Sequence, residues 1–352
     1  MNPAPRLFDN VRPRKPQGSL AKRWARRAFI IPLYFFLWAV AIVTFPVPLL
    51  IAFVADLVKG NKFSLSRGVL FFVCYLTFEL LGVIGCSSAW FLSGIWLGIG
   101  ERQFLEWNFI VQRYWGMGII RSCMAIFSIR LEIEQICDFG ERPFIFFIRH
   151  TSPGDTLLGV YLLSYCRRIH LRYVLKRELL WDPSLELSFS RLPNYFVSRD
   201  GVNTTAEVEA VGNLMDDLGP YEGVLIYPEG TRFTEAKKAR IMEKIEASGD
   251  TAALERARAL RHVLPPRPGG PLKLLEKNRG ADAVFCVHTG LENATKFSEL
   301  HRGGIVGQVV KVRFWRVPFD AIPKDPKGQA DWLHEEWKKV DDFVAENLPP
   351  AK

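Results

Sequence analysis

Ala28 to Ala55 runs for 28 residues without an Asp, Glu, Lys, Arg or His. A helix of that length extends about 42 Å, against roughly 30 Å of bilayer hydrocarbon. Pro46 and Pro48 interrupt the run. The spacing therefore predicts a helix to about Phe45, then a kink or break. A second stretch, Gly68 to Gly100, has a single ionisable group, Glu79. Core helices this long and this apolar are rare, so both stretches read as membrane segments. Ala39-Val40-Ala41 fits a signal-peptidase site, but the apolar run continues well past it. An uncleaved anchor is the better reading. Glu79 is costly in lipid, which predicts an interface position or a partner helix. Gly94 and Gly98 have the spacing of a helix-packing pair.

The formal charge of +9 is uneven. Residues 1–27 hold eight bases and one acid, and the remainder is nearly balanced. A basic tail flanking an apolar segment fits the positive-inside rule better than it fits nucleic acid. It places the N-terminus in the cytoplasm, and two spans or a re-entrant hairpin return the chain there. Localisation is then integral membrane, with the following domain on the cytoplasmic face (the inner membrane, if the source is bacterial). The expected organisation is a basic tail (1–27), a membrane anchor (28–102), an interfacial helix (103–129) and an α/β domain (130–352). Residues 103–129 interleave Phe104, Trp107, Tyr114 and Trp115 with Arg102, Arg113 and Arg121. That pattern suits the headgroup layer, with packing on a soluble domain as the alternative.

The chain can bury a large core without disulfides. Its six cysteines are too sparse for a disulfide scaffold, and none forms a C-x-x-C pair. From about residue 130, short apolar runs alternate with helical stretches. Strands are predicted at 144–148, 172–175, 195–197, 224–227, 284–288 and 309–314. Helices are predicted at 156–165, 205–218 and 329–348. Residues 235–262 read as a solvated helical insertion broken at Ser248-Gly249-Asp250. The fold class is therefore α/β, a mostly parallel sheet flanked by helices and preceded by an N-terminal helical membrane anchor.

Functional groups on such sheets gather at strand C-termini. The 144–148 strand ends in Arg149-His150-Thr-Ser-Pro-Gly-Asp155. Asp155, in the first turn of the next helix, can hold one imidazole nitrogen while the other faces a cleft as general base. Asp155 as a simple helix cap is the bland alternative. Phe196-Val-Ser-Arg199 and Tyr227-Pro-Glu-Gly-Thr-Arg-Phe233 follow two further strands. Two arginines beside a His–Asp pair suit an anionic, phosphate-bearing substrate with a hydroxyl to deprotonate. No G-x-S-x-G elbow, Walker loop, dinucleotide fingerprint or metal-ligand spacing is present.

In order, the His150-Thr-Ser-Pro-Gly-Asp155, Phe196-Val-Ser-Arg199 and Pro228-Glu-Gly-Thr-Arg232 blocks resemble those of the glycerophospholipid acyltransferases. The pattern is closest to the lysophosphatidic acid (1-acylglycerol-3-phosphate) acyltransferases and covers roughly residues 130–317. The resemblance implies His150 as general base, oriented by Asp155. It implies Arg199 and Arg232 on the acceptor phosphate, with Glu229, Gly230 and Thr231 shaping that pocket. A backbone amide near Gly154 is the expected oxyanion donor. No cofactor or metal is implied. The partners are membrane lipid, a lysophospholipid acceptor and an acyl donor, acyl-CoA or acyl carrier protein. The family usually has Asn before the histidine, where this chain has Arg149. Phe285-Cys-Val-His-Thr-Gly290 stands where an apolar-Pro-Val pattern is usual. Lys176-Arg-Glu-Leu179 and Leu264-Pro-Pro-Arg267 look more like the longer lysophospholipid acyltransferases than the short bacterial ones, which leaves lysophosphatidic acid or a larger-headed lysophospholipid as acceptor. The remaining alternatives are an acyl-ester hydrolase using the same dyad and a non-catalytic protein that binds anionic lipid.

Overall fold

The computed structural model describes residues 17–152, 154–198, 204–292 and 303–348. Most of the basic tail, Pro153 and Arg199 lie outside the described residues.

The first apolar stretch is two helices, α1 (Leu20–Thr44) and α2 (Pro46–Lys59). They meet at Phe45, and Pro46 takes the first position of α2, where a missing N–H costs nothing. The second stretch is α3 (Ser64–Leu92), followed by α4 (Glu101–Phe127). Both α1 and α3 are long and apolar enough to cross a membrane. Phe36, Val43, Leu50, Ile51 and Val58 are among the large side chains that α1 and α2 leave exposed. Soluble monomers rarely leave so many large apolar side chains exposed together, and this surface fits a lipid environment. Gly94 and Gly98 do not pack helices together. Both have positive φ and flank one 3₁₀ turn, Ile95–Leu97. Close helix approach occurs instead at Gly118, where a Cβ would overlap the Phe78 ring.

The α/β domain holds strands β1 (Arg130–Gln135), β2 (Phe144–Ile148), β3 (His170–Lys176), β4 (Tyr195–Val197), β5 (Glu222–Ile226), β6 (Asp282–Thr289) and β7 (Val309–Val317). Their spatial order is β1-β7-β6-β2-β5-β3-β4, parallel throughout except for β6 against β7. Every residue of β2 is buried, as expected for a central strand covered on both faces. Its side chains alternate between two cores. Phe144, Phe146 and Ile148 face a layer that includes Trp115 and Ile119 of α4. Ile145 and Phe147 face the other layer, with Trp337 and Val340.

The helix after β2 begins as α5 (Gly154–Gly159) and continues in wide π turns to Tyr165. The second face carries α6 (Thr204–Gly212), α9 (Gly269–Glu276) and α10 (Pro326–Asn347). The insertion folds as α7 (Glu235–Ala247) and α8 (Thr251–Ala259), each capped at its N-terminus by a side chain, Thr234 and Asp250.

The apolar helices are bonded to the domain through polar groups. Glu79 accepts from Trp115 Nε1 at 3.0 Å and from the Ser184 backbone at 3.2 Å. Arg26 and Arg27 on α1 reach the buried carboxylate of Glu186 at 2.9 and 2.8 Å. Helix α4 is buried between α3 and the sheet over Leu105, Phe109, Gln112, Trp115 and Ile119, while Ile110 and Tyr114 stay exposed.

Candidate active site

Strand β2 ends at Ile148, and the next two residues take opposite directions. Arg149 turns inward with 1% exposure, and its guanidinium donates to the carbonyl of His288 at 2.7 Å and to Glu292 at 2.6 Å. Arg149 thus ties the end of β2 to the end of β6. His150 turns outward, keeping 16% side-chain exposure.

Asp155 lies in the first turn of α5 and is fully buried. Its Oδ2 is 3.1 Å from His150 Nδ1 and accepts the backbone N–H groups of Thr151 and Ser152 at 2.5 and 2.9 Å. Its Oδ1 accepts from Ser152 Oγ at 2.9 Å. Burial pushes this carboxyl upward, but His288, His150 and the Ser152 amide outweigh it and hold it near a pKa of about 2. An ionised carboxylate is acceptor-only, so Nδ1 carries a proton and donates to it, and in the neutral imidazole the lone pair is on Nε2. The His150 ring lies against Tyr227, tilted 34° with centroids 4.3 Å apart, and Tyr227 donates to Thr156 at 3.2 Å. This fixes the plane of the imidazole.

Sequence reasoning missed His288, buried on β6. Its Nε2 is 3.1 Å from the Arg149 carbonyl and 3.5 Å from Asp155 Oδ1. Burial lowers its pKa, against the opposing pull of Asp155. The unusual Phe285-Cys-Val-His-Thr-Gly290 segment was the signal available in the sequence.

The Glu-Gly-Thr-Arg turn follows β5 and meets β2 at His150. Glu229 is fully buried and accepts the His150 N–H at 3.0 Å and the Leu264 N–H at 3.1 Å. The Phe233 N–H donates to the His150 carbonyl at 3.2 Å. Glu229 therefore shapes the site from behind and presents no oxygen to the cleft. Burial raises its pKa to about 7, opposed by Arg149 and by these two amides. Gly230, with φ +63°, turns the chain, and Thr231 and Arg232 stay half-buried beyond it. Lys237 of α7, which the sequence did not single out, donates to Thr231 Oγ1 and to the Arg232 carbonyl, both at 2.9 Å. It adds a third basic residue to this turn's surroundings, beside Arg232 and Arg267. The Gly154 N–H, the expected oxyanion donor, is engaged by Ser152 Oγ at 3.1 Å. That bond must open before the amide can serve an oxyanion.

The arrangement presents one imidazole lone pair, fixed by an ionised carboxylate, beside a turn carrying cationic side chains. It can abstract a hydroxyl proton from a substrate with an anionic group nearby.

Residues 129–269 match the family model described as acyltransferase. The mouse 1-acyl-sn-glycerol-3-phosphate acyltransferase epsilon is 25% identical over 227 residues, 60% of this chain and 61% of that protein. The human gamma protein of the same name is 26% identical over 306 residues, 82% of this chain and 72% of that protein. The chain thus matches somewhat under two thirds of the mouse protein's length. It is also similar to the crystal structure of the 1-acyl-sn-glycerophosphate acyltransferase PlsC from Thermotoga maritima. That likeness has a TM-score of 0.48 and 13% identity, covering 80% of this chain and 99% of that one.

Proposed function

We propose, from the premise that residues 129–269 form a glycerophospholipid acyltransferase domain close to the lysophosphatidic acid acyltransferases, that the protein acylates lysophosphatidic acid at a membrane. The product is phosphatidic acid. The observation that carries the reading is the Asp155–His150 pair, 3.1 Å apart, on the same turn contacts as the Glu-Gly-Thr-Arg block.

In this reading His150 Nε2 takes the proton of the acceptor's free hydroxyl as its oxygen attacks the acyl thioester. A C–O bond forms, the C–S bond breaks, and the proton passes from His150 to the departing thiolate. No acyl-enzyme is needed. Asp155 keeps Nδ1 protonated and stabilises the imidazolium that forms. Arg232, and Arg199 outside the described residues, bind the acceptor phosphate. Glu229 positions His150 through its backbone, and Gly230 and Thr231 form the wall. Acyl-CoA is the donor favoured, with acyl carrier protein the alternative. The domain sits on the cytoplasmic face, reached by the apolar helices, because lysolipid and product stay in the bilayer while the donor is soluble.

The test is acyl transfer by purified protein in detergent, with oleoyl-CoA and lysophosphatidic acid, read by mass spectrometry of the lipid product. The expected result is phosphatidic acid from the wild type and none from His150→Ala, with membrane association unchanged. Free fatty acid released without an acceptor would show a hydrolase. Transfer confined to a larger-headed lysolipid would move the assignment to that acceptor, and no transfer with either donor would overturn the reading.

A further inference from the structure

A Cβ on Gly230 would lie 2.8 Å from Cδ, 3.0 Å from Nε and 3.4 Å from Cζ of Arg267. The bare glycine therefore leaves room for the stem and fork of Arg267 to cross the Glu-Gly-Thr-Arg turn. The backbone holds Arg267 in that place, since its N–H donates to the Pro228 carbonyl at 2.8 Å. Pro265, Pro266 and Pro268 surround it, and their fixed φ angles stiffen the segment. The residue stays exposed, and among the described residues no hydrogen bond or ion pair engages its guanidinium. A cation held in place by a rigid loop, over the same turn that carries Arg232, is poised for an anion rather than for a protein partner.

We propose that Arg267 reads the phosphate of the acceptor and, with Arg232, selects a phosphomonoester over a phosphodiester. The inference rests on the acyltransferase reading above and names the group that sets its acceptor class. A phosphomonoester carries about −1.5 to −2 charges near neutral pH and three terminal oxygens. A diester carries one charge and two such oxygens. Each arginine fork takes two oxygens at its best. A second fork therefore adds much to binding of the monoester and little to binding of a lysolipid whose phosphate is already esterified. CoA also carries a phosphomonoester, so the donor is the competing source of the same chemistry.

The experiment measures equilibrium binding to the full chain in detergent micelles. The probes are oleoyl lysophosphatidic acid, lysophosphatidylcholine with the same acyl chain, and CoA alone. Arg267→Gln is expected to weaken lysophosphatidic acid about tenfold, the loss of one charge-assisted hydrogen-bond pair. Lysophosphatidylcholine and CoA should stay within about twofold, and Arg267→Lys should fall between. Unchanged binding of lysophosphatidic acid would overturn the proposal. So would equal weakening of both lysolipids, which marks a packing role, or weakening of CoA alone, which assigns the residue to the donor. Acyl transfer is measured in parallel. A wild type that binds selectively without transferring would remove the enzymatic reading and leave this inference standing.

Discussion

Glu229 accepts the backbone N–H of His150 at 3.0 Å, although 79 residues separate the two in sequence. The other carboxylate oxygen takes the N–H of Leu264. Leu264 is in turn held by Trp337, whose Nε1 donates to its carbonyl at 3.1 Å. The position of the imidazole thus depends on a chain of contacts running from the C-terminal helix to the tip of β2. Glu229 acts through His150, which makes it a positioning residue.

Glu229→Gln tests that role. An amide offers one acceptor and presents its NH₂ to the second N–H, so one buried donor is left unpaired, at about 1–3 kcal/mol. Turnover is expected to fall about tenfold with little change in KM. The pH dependence adds a second reading. The folded-state pKa of about 7 lies above the ordinary 4.5, so the fold retains this proton longer than the unfolded chain does. Stability from this source is fully present below about pH 4.5 and declines as pH rises to about 7. Melting curves should show the wild type's advantage over Glu229→Gln narrowing across that window and level above it. A gap independent of pH would remove the assignment.

Asp155→Asn is expected to lower kcat by about 10²–10⁴, because the amide no longer fixes the imidazole tautomer or stabilises its cation. Here the sign is opposite. The folded-state pKa of about 2 lies below the ordinary 3.8, so the stabilisation is present above 3.8 and is lost as pH falls toward 2. Acid titration followed by circular dichroism should show wild type losing stability between about pH 4 and 2 more steeply than the variant. The same slope in both would contradict it.

Much of this site was readable because its residues follow strands with unmistakable patterns. Phe144-Ile-Phe-Phe-Ile148 is a buried strand by composition alone, and His150 and Asp155 then fall where an α/β turn puts them. The Ser248-Gly249-Asp250 break and the helix predicted at 329–348 were equally plain. What was hidden depends on contacts between distant segments. Strand β1, Arg-Leu-Glu-Ile-Glu-Gln, is mostly exposed and pairs only with β7, so it lacks a strand's apolar signal. Lys237 looks like any solvated lysine of a charged helix until the fold brings it to Thr231. The Gly94–Gly98 spacing matched a packing motif, but positive φ at both made it a turn.

The link between α1 and the domain gives a third prediction. Glu186 has no exposed side-chain surface and lies against both Arg26 and Arg27. Replacing both arginines with Ala leaves a buried carboxylate without those two partners, at about 3–5 kcal/mol. Replacing all three residues with apolar ones of similar size removes most of that cost. Thermal melting in detergent should therefore rank the double variant well below the triple. An equal loss in both would mean that packing of α1, rather than the ion pairs, joins the helix to the domain.

Asp341 on α10 is 2% exposed, and its carboxylate accepts three consecutive backbone N–H groups. These are Arg261 at 2.9 Å, His262 at 2.5 Å and Val263 at 3.0 Å. The next residue, Leu264, donates to Glu229, so Asp341 organises the segment behind the candidate site. Asp341→Ala leaves all three donors without that acceptor. Water can reach some of them, which limits the loss to about 2–4 kcal/mol. The effect on turnover separates an anchor from a mere stabiliser. If the segment positions His150 through Glu229, kcat at a temperature where the variant is fully folded should fall about three- to tenfold, with KM for the donor unchanged. Asp341→Asn, which keeps one acceptor oxygen, should recover part of both losses. A variant that melts early yet turns over at the wild-type rate while folded would confine Asp341 to stability and break the proposed line from α10 to the imidazole.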